Sequence, residues 1–201
     1  VAMAQCGAQE GVGVDLSQRA VEWARAMVDR LGVKGVQFAQ GSVLDLPPEW
    51  SARFDFVCSN GVVHHTRDWR QGLREIYRVL RPGGVAYVFV YGAGGLFWAL
   101  VDRCRALMAP VPLDVAEGWL KALGTPEGKI FNFLDHWYTP IQERVLRAEF
   151  EAELRRCGFS DLRSISRGLI YEPSERLSRY SDEGDLVGEG DLRYLAWTTK
   201  R

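Results

Sequence analysis

Apolar residues near the start of the chain follow first the spacing of a strand and then that of a helix. The segment GVGVD, residues 11–15, is a short apolar run closed by Asp15, which is typical of a buried strand. Apolar positions three and four residues apart then continue over residues 20–31 and predict an amphipathic helix. Ser17 is placed to cap the start of that helix, and Gly32 is placed to end it.

The alternation of strand and helix continues as far as Tyr91. The predicted elements are strands at residues 36–39, 54–59 and 85–91 and an amphipathic helix at residues 69–80, which the sequence RPGG ends. The strand VAYVFVY is almost entirely apolar, as expected of a strand that is covered on both faces. This pattern predicts an open, doubly wound α/β sheet of mostly parallel strands joined by right-handed crossovers.

After Tyr91, helical segments rich in aromatic residues replace this alternation. Helices are predicted at residues 96–108, 115–123 and 141–157, the last closed by Gly158, and strands at residues 159–167 and 191–199. A length of 201 residues suits one well-cored domain. We therefore expect a single domain over residues 1–201, with a helical insert at residues 93–140.

Composition excludes several classes of protein. Hydrophobic residues make up 47% of the chain, and the formal net charge is −1, so neither a basic nucleic-acid-binding surface nor an acidic tail is expected. The four cysteines are scattered without metal-ligand spacing, which favours a reduced, cytoplasmic setting and no metal site. Apolar runs stay far below the ~20 residues that cross a bilayer, so no stable membrane insertion is expected.

Ligands of open α/β sheets bind at the carboxyl ends of the strands. This rule selects four places, namely Asp15-Leu16, Gly41-Ser42-Val43, Ser59-Asn60-Gly61 with the nearby His64-His65, and Tyr91-Gly92. Asp15 is the sharpest candidate, because a carboxylate at this position can accept two hydrogen bonds from a ribose diol. The alternative is that Asp15 only caps the following helix, a role for which Ser17 is better placed.

Gly11 and Gly13 resemble part of a dinucleotide-binding loop, but their position argues against that role. They precede Asp15 directly, whereas the glycines of such a loop lie about 20 residues before the acid. We therefore interpret both as strand glycines that allow close packing. The sequence gives little support to a nicotinamide-dependent oxidoreductase, although such an enzyme would share the fold.

Three segments together carry a family resemblance. GVGVDLSQRAVEWA, QGSVLDLPPEW and FDFVCSNGVVHHTRDWRQGLREIYRVLRPGGVAYVFVYG resemble, in this order, motifs of the class I S-adenosylmethionine-dependent methyltransferases, in particular the type 11, ubiquinone/menaquinone-methylase-like group. The likeness is dense from Gly11 to Gly92, and YTP and LRRCGFSDLRSISRG resemble the group further on. It implies a Rossmann-like sheet with an antiparallel C-terminal strand, S-adenosylmethionine as cofactor, and in-line methyl transfer to a small-molecule acceptor.

The main departure from the family concerns its first strand and glycine-rich loop of the form GxGxG. Residues 1–8 resemble the end of the helix that follows this loop, with Gly7 as its cap, and the loop itself does not occur in the sequence. The resemblance therefore implies a domain that is incomplete at its N-terminus. A non-catalytic or incomplete S-adenosylmethionine-binding module is accordingly the alternative to an active enzyme.

The resemblance also implies roles for residues of the cofactor site. Asp15 would hold the ribose hydroxyls, and Leu16 would lie against the adenine. Ser42 and Val43 match the pair that frames the adenine ring, although the first of this pair is often an aspartate in the family. Asp45 is either a substitute for that acid or a solvated turn residue.

Asn60 and Gly61 match the turn beneath the methionine moiety of the cofactor, where backbone groups contact it. His64 and His65 follow, and a histidine there could take a proton from the acceptor, because an imidazole titrates close to neutral pH. For His64 we favour packing within the fold, whereas for His65 packing and general-base roles are equally compatible with the sequence.

The aromatic residues of the insert have two interpretations. They are Phe97, Trp98, Trp119, Phe131, Phe133, Trp137 and Tyr138. In this family the region commonly covers the acceptor, so the insert is expected to act as a lid that excludes water. Core packing of a small helical subdomain is the alternative, expected to account for at least half of these residues. Oxygen, nitrogen and carbon acceptors are all compatible with the sequence. The sequence does not indicate the oligomeric state.

Overall fold

The computed structural model describes residues 2–165 and 188–199. Its helices are α1 (Ala2–Gln5), α2 (Gln18–Arg30), α3 (Trp69–Val79), α4 (Gly95–Met108), α5 (Leu113–Ala122), α6 (Glu127–Tyr138) and α7 (Arg147–Cys157). Its strands are β1 (Gly11–Asp15), β2 (Val36–Gln40), β3 (Phe54–Asn60), β4 (Leu80–Tyr91), β5 (Phe159–Ser164) and β6 (Asp191–Thr198). Short 3₁₀ turns lie at Pro48–Trp50 and Val63–His65.

The strands of the described residues form two sheets. In the first, β1 pairs in parallel with β2. The second has the order β3-β4-β6-β5, in which β3 and β4 are parallel and β6 is antiparallel to both of its neighbours. Together with the helices between β1 and β4, this arrangement confirms the predicted α/β class with an antiparallel strand at its C-terminal end. Within the described ranges, β1 pairs only with β2 and β3 pairs only with β4, so each has one edge without a partner strand.

Local chemistry explains the first strand and helix. The Ser17 hydroxyl accepts a hydrogen bond from the Ala20 amide at 3.3 Å, which confirms Ser17 as the cap of α2. A Cβ added to Gly13 would lie 2.6 Å from a ring carbon of Phe38, so only glycine allows β1 and β2 to pack this closely. Gly13 is therefore a packing glycine of the strand, as predicted.

The main core lies between the four-stranded sheet and helices α3 and α7. Leu73 and Ile76 of α3 and Phe150 and Leu154 of α7 are completely or almost completely buried, together with the alternating apolar residues of β4 and β6. The apolar stripe predicted for α3 is thus its core-facing side. Gly158 ends α7 with a φ of +111°, and an added Cβ would lie 2.6 Å from the ring of Tyr77, so glycine is required there.

Two predicted boundaries are wrong. The helix predicted at residues 141–157 begins only at Arg147, because the preceding segment pairs with the end of β4: the Val145 amide donates to the Tyr91 carbonyl at 2.9 Å. Strand β4 begins at Leu80 rather than at Val85, and RPGG forms an irregularity within it. Tertiary backbone pairing overrides the local helix and turn signals in both places.

A third helix of the insert, α6, was not predicted. It follows Pro126, whose fixed φ suits a helix start. At the C-terminal side, the two predicted strands are confirmed as β5 and β6, but residues 166 and 167 of the first prediction lie outside the described residues. The helix predicted at the start of the chain is present as α1, with Gly7 at a φ of +96° soon after it.

Candidate active site

Asp15 ends β1 beside the end of β2. One oxygen of its carboxylate accepts a hydrogen bond from the Ser17 amide at 2.8 Å, and the second has no hydrogen bond to the described residues. The Asp15 carbonyl accepts from the Gly41 amide at 3.0 Å, which fixes the backbone at this point. The Ser17 side chain caps α2, and the Asp15 carboxylate holds the backbone of this cap residue with one oxygen, so only its second oxygen is left for a ligand.

Leu16 follows Asp15 with 69% of its surface exposed, which is high for a leucine in a rigid turn. Its carbonyl accepts from the Gln40 side chain at 3.1 Å, so the ends of β1 and β2 are tied together. The edge therefore presents a free carboxylate oxygen next to an exposed apolar side chain. These are the two kinds of group that a ribose diol and a flat aromatic base require, so the residues fit the adenosine part of the expected cofactor.

The turn after β2 is closed by its own hydrogen bonds. The Ser42 hydroxyl accepts from the Leu44 amide at 3.1 Å, and the Asp45 amide donates to the Ser42 carbonyl at 3.1 Å. Val43 packs against the main core. Asp45 is exposed and has a structural place in the turn, and a direct contact of its carboxylate with adenine stays a prediction.

At the end of β3, Asn60 and Gly61 turn the chain towards the 3₁₀ segment that carries the two histidines. The Asn60 side chain accepts from the Tyr87 hydroxyl at 3.4 Å, and the Gly61 amide donates to the Phe89 carbonyl at 3.2 Å. Gly61 has a φ of +74°, whereas an added Cβ would meet only ordinary contacts at 3.5 Å. Backbone conformation rather than space therefore requires glycine here.

His64 and His65 lie side by side, with ring centroids 4.1 Å apart, but their surroundings differ. His64 is fully buried, and neither of its ring nitrogens has a hydrogen-bond partner among the described residues. His65 is half-buried, and its Nδ1 lies 2.8 Å from the Ile141 carbonyl oxygen. A carbonyl only accepts, so Nδ1 carries the hydrogen, and the neutral ring keeps its lone pair on Nε2.

The buried His64 makes folding stability dependent on pH. Burial and the neighbouring His65 lower the pKa of His64 from 6.5 to about 3. Between these values the unfolded chain binds a proton that the folded chain does not, so stability falls as the pH decreases. We expect His64 to cost about 1.4 kcal/mol of folding stability for each pH unit between about pH 6 and pH 3, measured by urea unfolding. The variant His64→Gln lacks this contribution. If the free energy of unfolding depends on pH with the same slope in both proteins, His64 is not the group responsible.

Sequence reasoning missed two members of the cluster around Tyr91. The Tyr91 hydroxyl donates to the Asp135 carboxylate at 3.2 Å. Burial, together with the negative charge of Asp135, raises the pKa of Tyr91 well above its usual value, so the phenol stays neutral. His136 stacks on Tyr91 and on Trp98, with centroid distances of 5.7 and 5.6 Å. Only a tertiary contact between α6 and β4 brings these residues together, and no local sequence signal marks it.

Arg144 joins the insert to the segment that follows it. It forms two hydrogen bonds with the Asp102 carboxylate, at 2.8 and 2.7 Å, and its guanidinium lies 4.4 Å from the ring of Trp98. The bidentate pair lowers the pKa of Asp102, so this carboxylate stays charged at neutral pH. Helix α4 is thereby held beside the end of β4, where Trp98 contacts Tyr91.

The aromatic residues of the insert range from buried to exposed. Trp98 is buried, and Trp137 and Tyr138 are half-buried. The exposed ones are Phe97, Trp119, Phe131 and Phe133. Of these four, Phe97 packs on Trp98 and Phe133 packs on Trp137, so the lid and core-packing interpretations both stay predictions. In the part of the chain that the structure describes, no helix is long and apolar enough to cross a membrane, and no cluster of acidic, histidine or cysteine side chains suits a metal ion.

Comparison with known proteins gives consistent matches. Residues 1–88 match the methyltransferase-domain family. The chain is 39% identical over 77 residues to the uncharacterised methyltransferase YcgJ of Bacillus subtilis, covering 38% of this chain and 30% of that protein. It is 37% identical over 73 residues to the demethylmenaquinone methyltransferase of Lactococcus lactis, and this match covers 36% of this chain and 29% of that protein. The chain thus spans about a third of the length of these curated relatives.

Solved structures share the fold. The match to the crystal structure of YcgJ covers 96% of this chain and 84% of the YcgJ chain, with a TM-score of 0.60 and 19% identity. A second match is the Burkholderia thailandensis 1,6-didemethyltoxoflavin-N1-methyltransferase with bound 1,6-didemethyltoxoflavin and S-adenosylhomocysteine. This match covers 94% of this chain and 61% of that structure, with a TM-score of 0.51 and 20% identity. Ordered motifs, strand-end residues and fold agree with the family match, and residues 1–88 are similar to the methyltransferase domain of the class I S-adenosylmethionine-dependent methyltransferases.

Proposed function

We propose that the protein binds S-adenosylmethionine and transfers its methyl group to a small-molecule acceptor by in-line displacement. The observation that carries this proposal is the end of β1, where the free oxygen of Asp15 and the exposed Leu16 lie beside the turn at Ser42. S-adenosylmethionine supplies a methyl group on a positively charged sulfur, which is a good leaving group. A small-molecule complex of the Burkholderia enzyme supports the same class of acceptor.

Each part of the cofactor has candidate partners in this chain. Asp15 would accept hydrogen bonds from the ribose hydroxyls, and Leu16 would cover one face of the adenine. Val43 and the turn at Ser42 would border the ring. The Asn60-Gly61 turn would lie beneath the methionine part, where its positive φ leaves the backbone open to close approach.

For an acceptor that must lose a proton, His65 is the candidate general base. Its Nδ1 is engaged by the Ile141 carbonyl, so Nε2 is the nitrogen that would take the proton. His64 is unsuited to this role because its low pKa keeps the ring a weak base. Helices α4 to α6 would form the lid, and the Arg144–Asp102 pair would hold them in place. Alignment of acceptor and methyl group would then provide most of the rate enhancement.

Binding without turnover is the second candidate function. It is favoured by the separation of the described strands into two sheets, because Asp15 lies on one sheet and Asn60 on the other. Methyl transfer requires the two parts to hold one cofactor in a fixed geometry. Binding of S-adenosylmethionine without formation of S-adenosylhomocysteine, over a range of small acceptors, would establish this alternative.

Replacing Asp15 tests the cofactor site. We expect Asp15→Ala to weaken the binding of S-adenosylmethionine by about 1.5–3 kcal/mol, the scale of lost hydrogen bonds to a charged group. Calorimetric titration measures this change. Asp29→Ala is the matched control, because this aspartate lies at the far end of α2 and should leave the affinity unchanged. Equal affinities of the Asp15 variant and the unmodified protein would show that Asp15 is only structural.

A further inference from the structure

We propose that Glu75 and Arg78 of α3 are positioning residues that set the affinity for the adenine end of the cofactor. They do so by holding the turn at residues 42–46, and the inference rests on the function proposed above. Neither side chain lies at the end of a strand. Their effect on the cofactor is exerted through the backbone of Leu46.

The two side chains together bind both polar groups of the Leu46 backbone. The Glu75 carboxylate accepts a hydrogen bond from the Leu46 amide at 2.9 Å. Arg78 donates to the Leu46 carbonyl at 2.8 Å and to the Glu75 carboxylate at 2.6 Å. The amide belongs to the peptide unit before Leu46 and the carbonyl to the one after it, so a carboxylate and a guanidinium that bind each other fix the backbone on both sides of this residue.

Further contacts extend this attachment to both sides of Leu46. Arg78 also donates to the Ser51 hydroxyl at 2.7 Å, so its guanidinium binds a second position in the loop that leads to β3. On the other side, the Gln71 side chain donates to the Leu44 carbonyl at 3.3 Å. Leu46 itself is buried. The turn is therefore attached to α3 at several points rather than at a single hydrogen bond.

The same helix contacts the other half of the site. A Cβ added to Gly72 would lie 2.9 Å from a methyl group of Val63 and 3.7 Å from a methyl group of Leu44. Helix α3 thus approaches both the turn after β2 and the 3₁₀ segment that carries His65. Because β1–β2 and the four-stranded sheet share no strand pairing in the described residues, α3 is an element that connects the two halves of the site.

The opposite charges of Glu75 and Arg78 stabilise the attachment of residues 42–46 to α3 at neutral pH. The hydrogen bond from Arg78 lowers the pKa of Glu75 despite its partial burial, and the pKa of Arg78 is raised in turn. Arg78 also lies in the field of Asp45, the exposed acid of the same turn. Loss of the Glu75 charge would leave the guanidinium without its main partner and release the Leu46 peptide to move.

A matched pair on another helix separates positioning from general stability. Glu153 and Arg156 of α7 have the same three-residue spacing, and Glu153 is also buried, with 2% of its side chain exposed. Glu153 also lies 4.0 and 3.6 Å from guanidinium nitrogens of Arg70 and Arg74 of α3, so its replacement perturbs the same helix, but none of these contacts involves the turn at residues 42–46. Glu153→Gln should therefore lower the melting temperature without changing cofactor affinity.

The test compares Glu75→Gln and Glu153→Gln at a temperature where both remain folded. We expect Glu75→Gln to weaken binding of S-adenosylhomocysteine and of adenosine about tenfold in calorimetric titrations, whereas Glu153→Gln binds both like the unmodified protein. If Glu75→Gln does not fold, Arg78→Lys provides the same measurement, because lysine keeps the charge but cannot bridge Glu75 and Leu46 in the same way. Hydrogen exchange of the peptide containing Leu46 should increase in the variant.

Two results would overturn the proposal. One is an affinity of the Glu75→Gln variant for both ligands that equals the affinity of the unmodified protein. The other is weaker binding of S-adenosylhomocysteine in both variants by the same factor, which would indicate a general loss of stability. Failure of the unmodified protein to bind S-adenosylhomocysteine would instead overturn the proposed function, so the two failures are distinguishable.

Discussion

Replacing His65 with glutamine is expected to lower the turnover number by about 10²–10⁴-fold, with little change in cofactor affinity. The Ile141 carbonyl holds the hydrogen on Nδ1, so the neutral ring offers Nε2 as a base, and glutamine offers no base of comparable strength. The effect should be largest for acceptors that must lose a proton before or during transfer. Formation of S-adenosylhomocysteine, measured with an acceptor that the unmodified protein methylates, gives the turnover number.

Chemical rescue provides the control for this variant. Imidazole added to the solution should restore part of the lost activity, because it replaces the missing base without repairing a damaged fold. A His65→Gln protein that turns over within twofold of the unmodified protein would refute a general-base role. The histidine would then only shape the loop, which is the other role that the sequence allows.

The largest expected effect on stability comes from Phe150. Its side chain is fully buried between Trp69 of α3 and Tyr194 of β6, with centroid distances of 6.0 and 5.5 Å. Phe150→Ala should lower the free energy of unfolding by about 3–5 kcal/mol, since it removes buried surface and leaves a cavity. Denaturation with urea measures this change, provided that the variant is still folded without denaturant.

Phe131 offers a matched control for the core substitution. It is also a helical phenylalanine, but 72% of it is exposed, so Phe131→Ala should change the free energy of unfolding by no more than about 0.5 kcal/mol. A small effect at Phe150 would mean that α7 does not pack on the sheet as described. A large effect at Phe131 would indicate that the insert buries this side chain against another molecule.

The features that local sequence determines were predicted correctly. A four-residue apolar run closed by an acid, followed by a serine cap, defines β1, Asp15 and the start of α2, although β1 is half-buried rather than buried as predicted. These depend on residues close to one another in the chain, so spacing and capping chemistry suffice. The positions of Ser42, Asn60 and His65 follow from the same rule, because each stands shortly after a recognisable strand.

Features that depend on contacts between distant segments could not be predicted in this way. Val145 pairs with the end of β4, although the composition of residues 141–146 suits a helix. The Glu75 contact with Leu46 joins residues that are 29 positions apart, and the Tyr91 contact with Asp135 joins residues that are 44 apart. Neither leaves a periodic trace in the sequence. The attachment of the cofactor turn and the composition of the aromatic cluster therefore appear only in the folded chain.

The proposed function requires that the ends of β1 and β2 bind S-adenosylmethionine through Asp15. Calorimetric titration of the unmodified protein with S-adenosylmethionine, and separately with NADH, tests it most directly. We predict saturable binding of S-adenosylmethionine with one site per chain and no heat of binding for NADH. Binding of NADH without binding of S-adenosylmethionine would contradict the account.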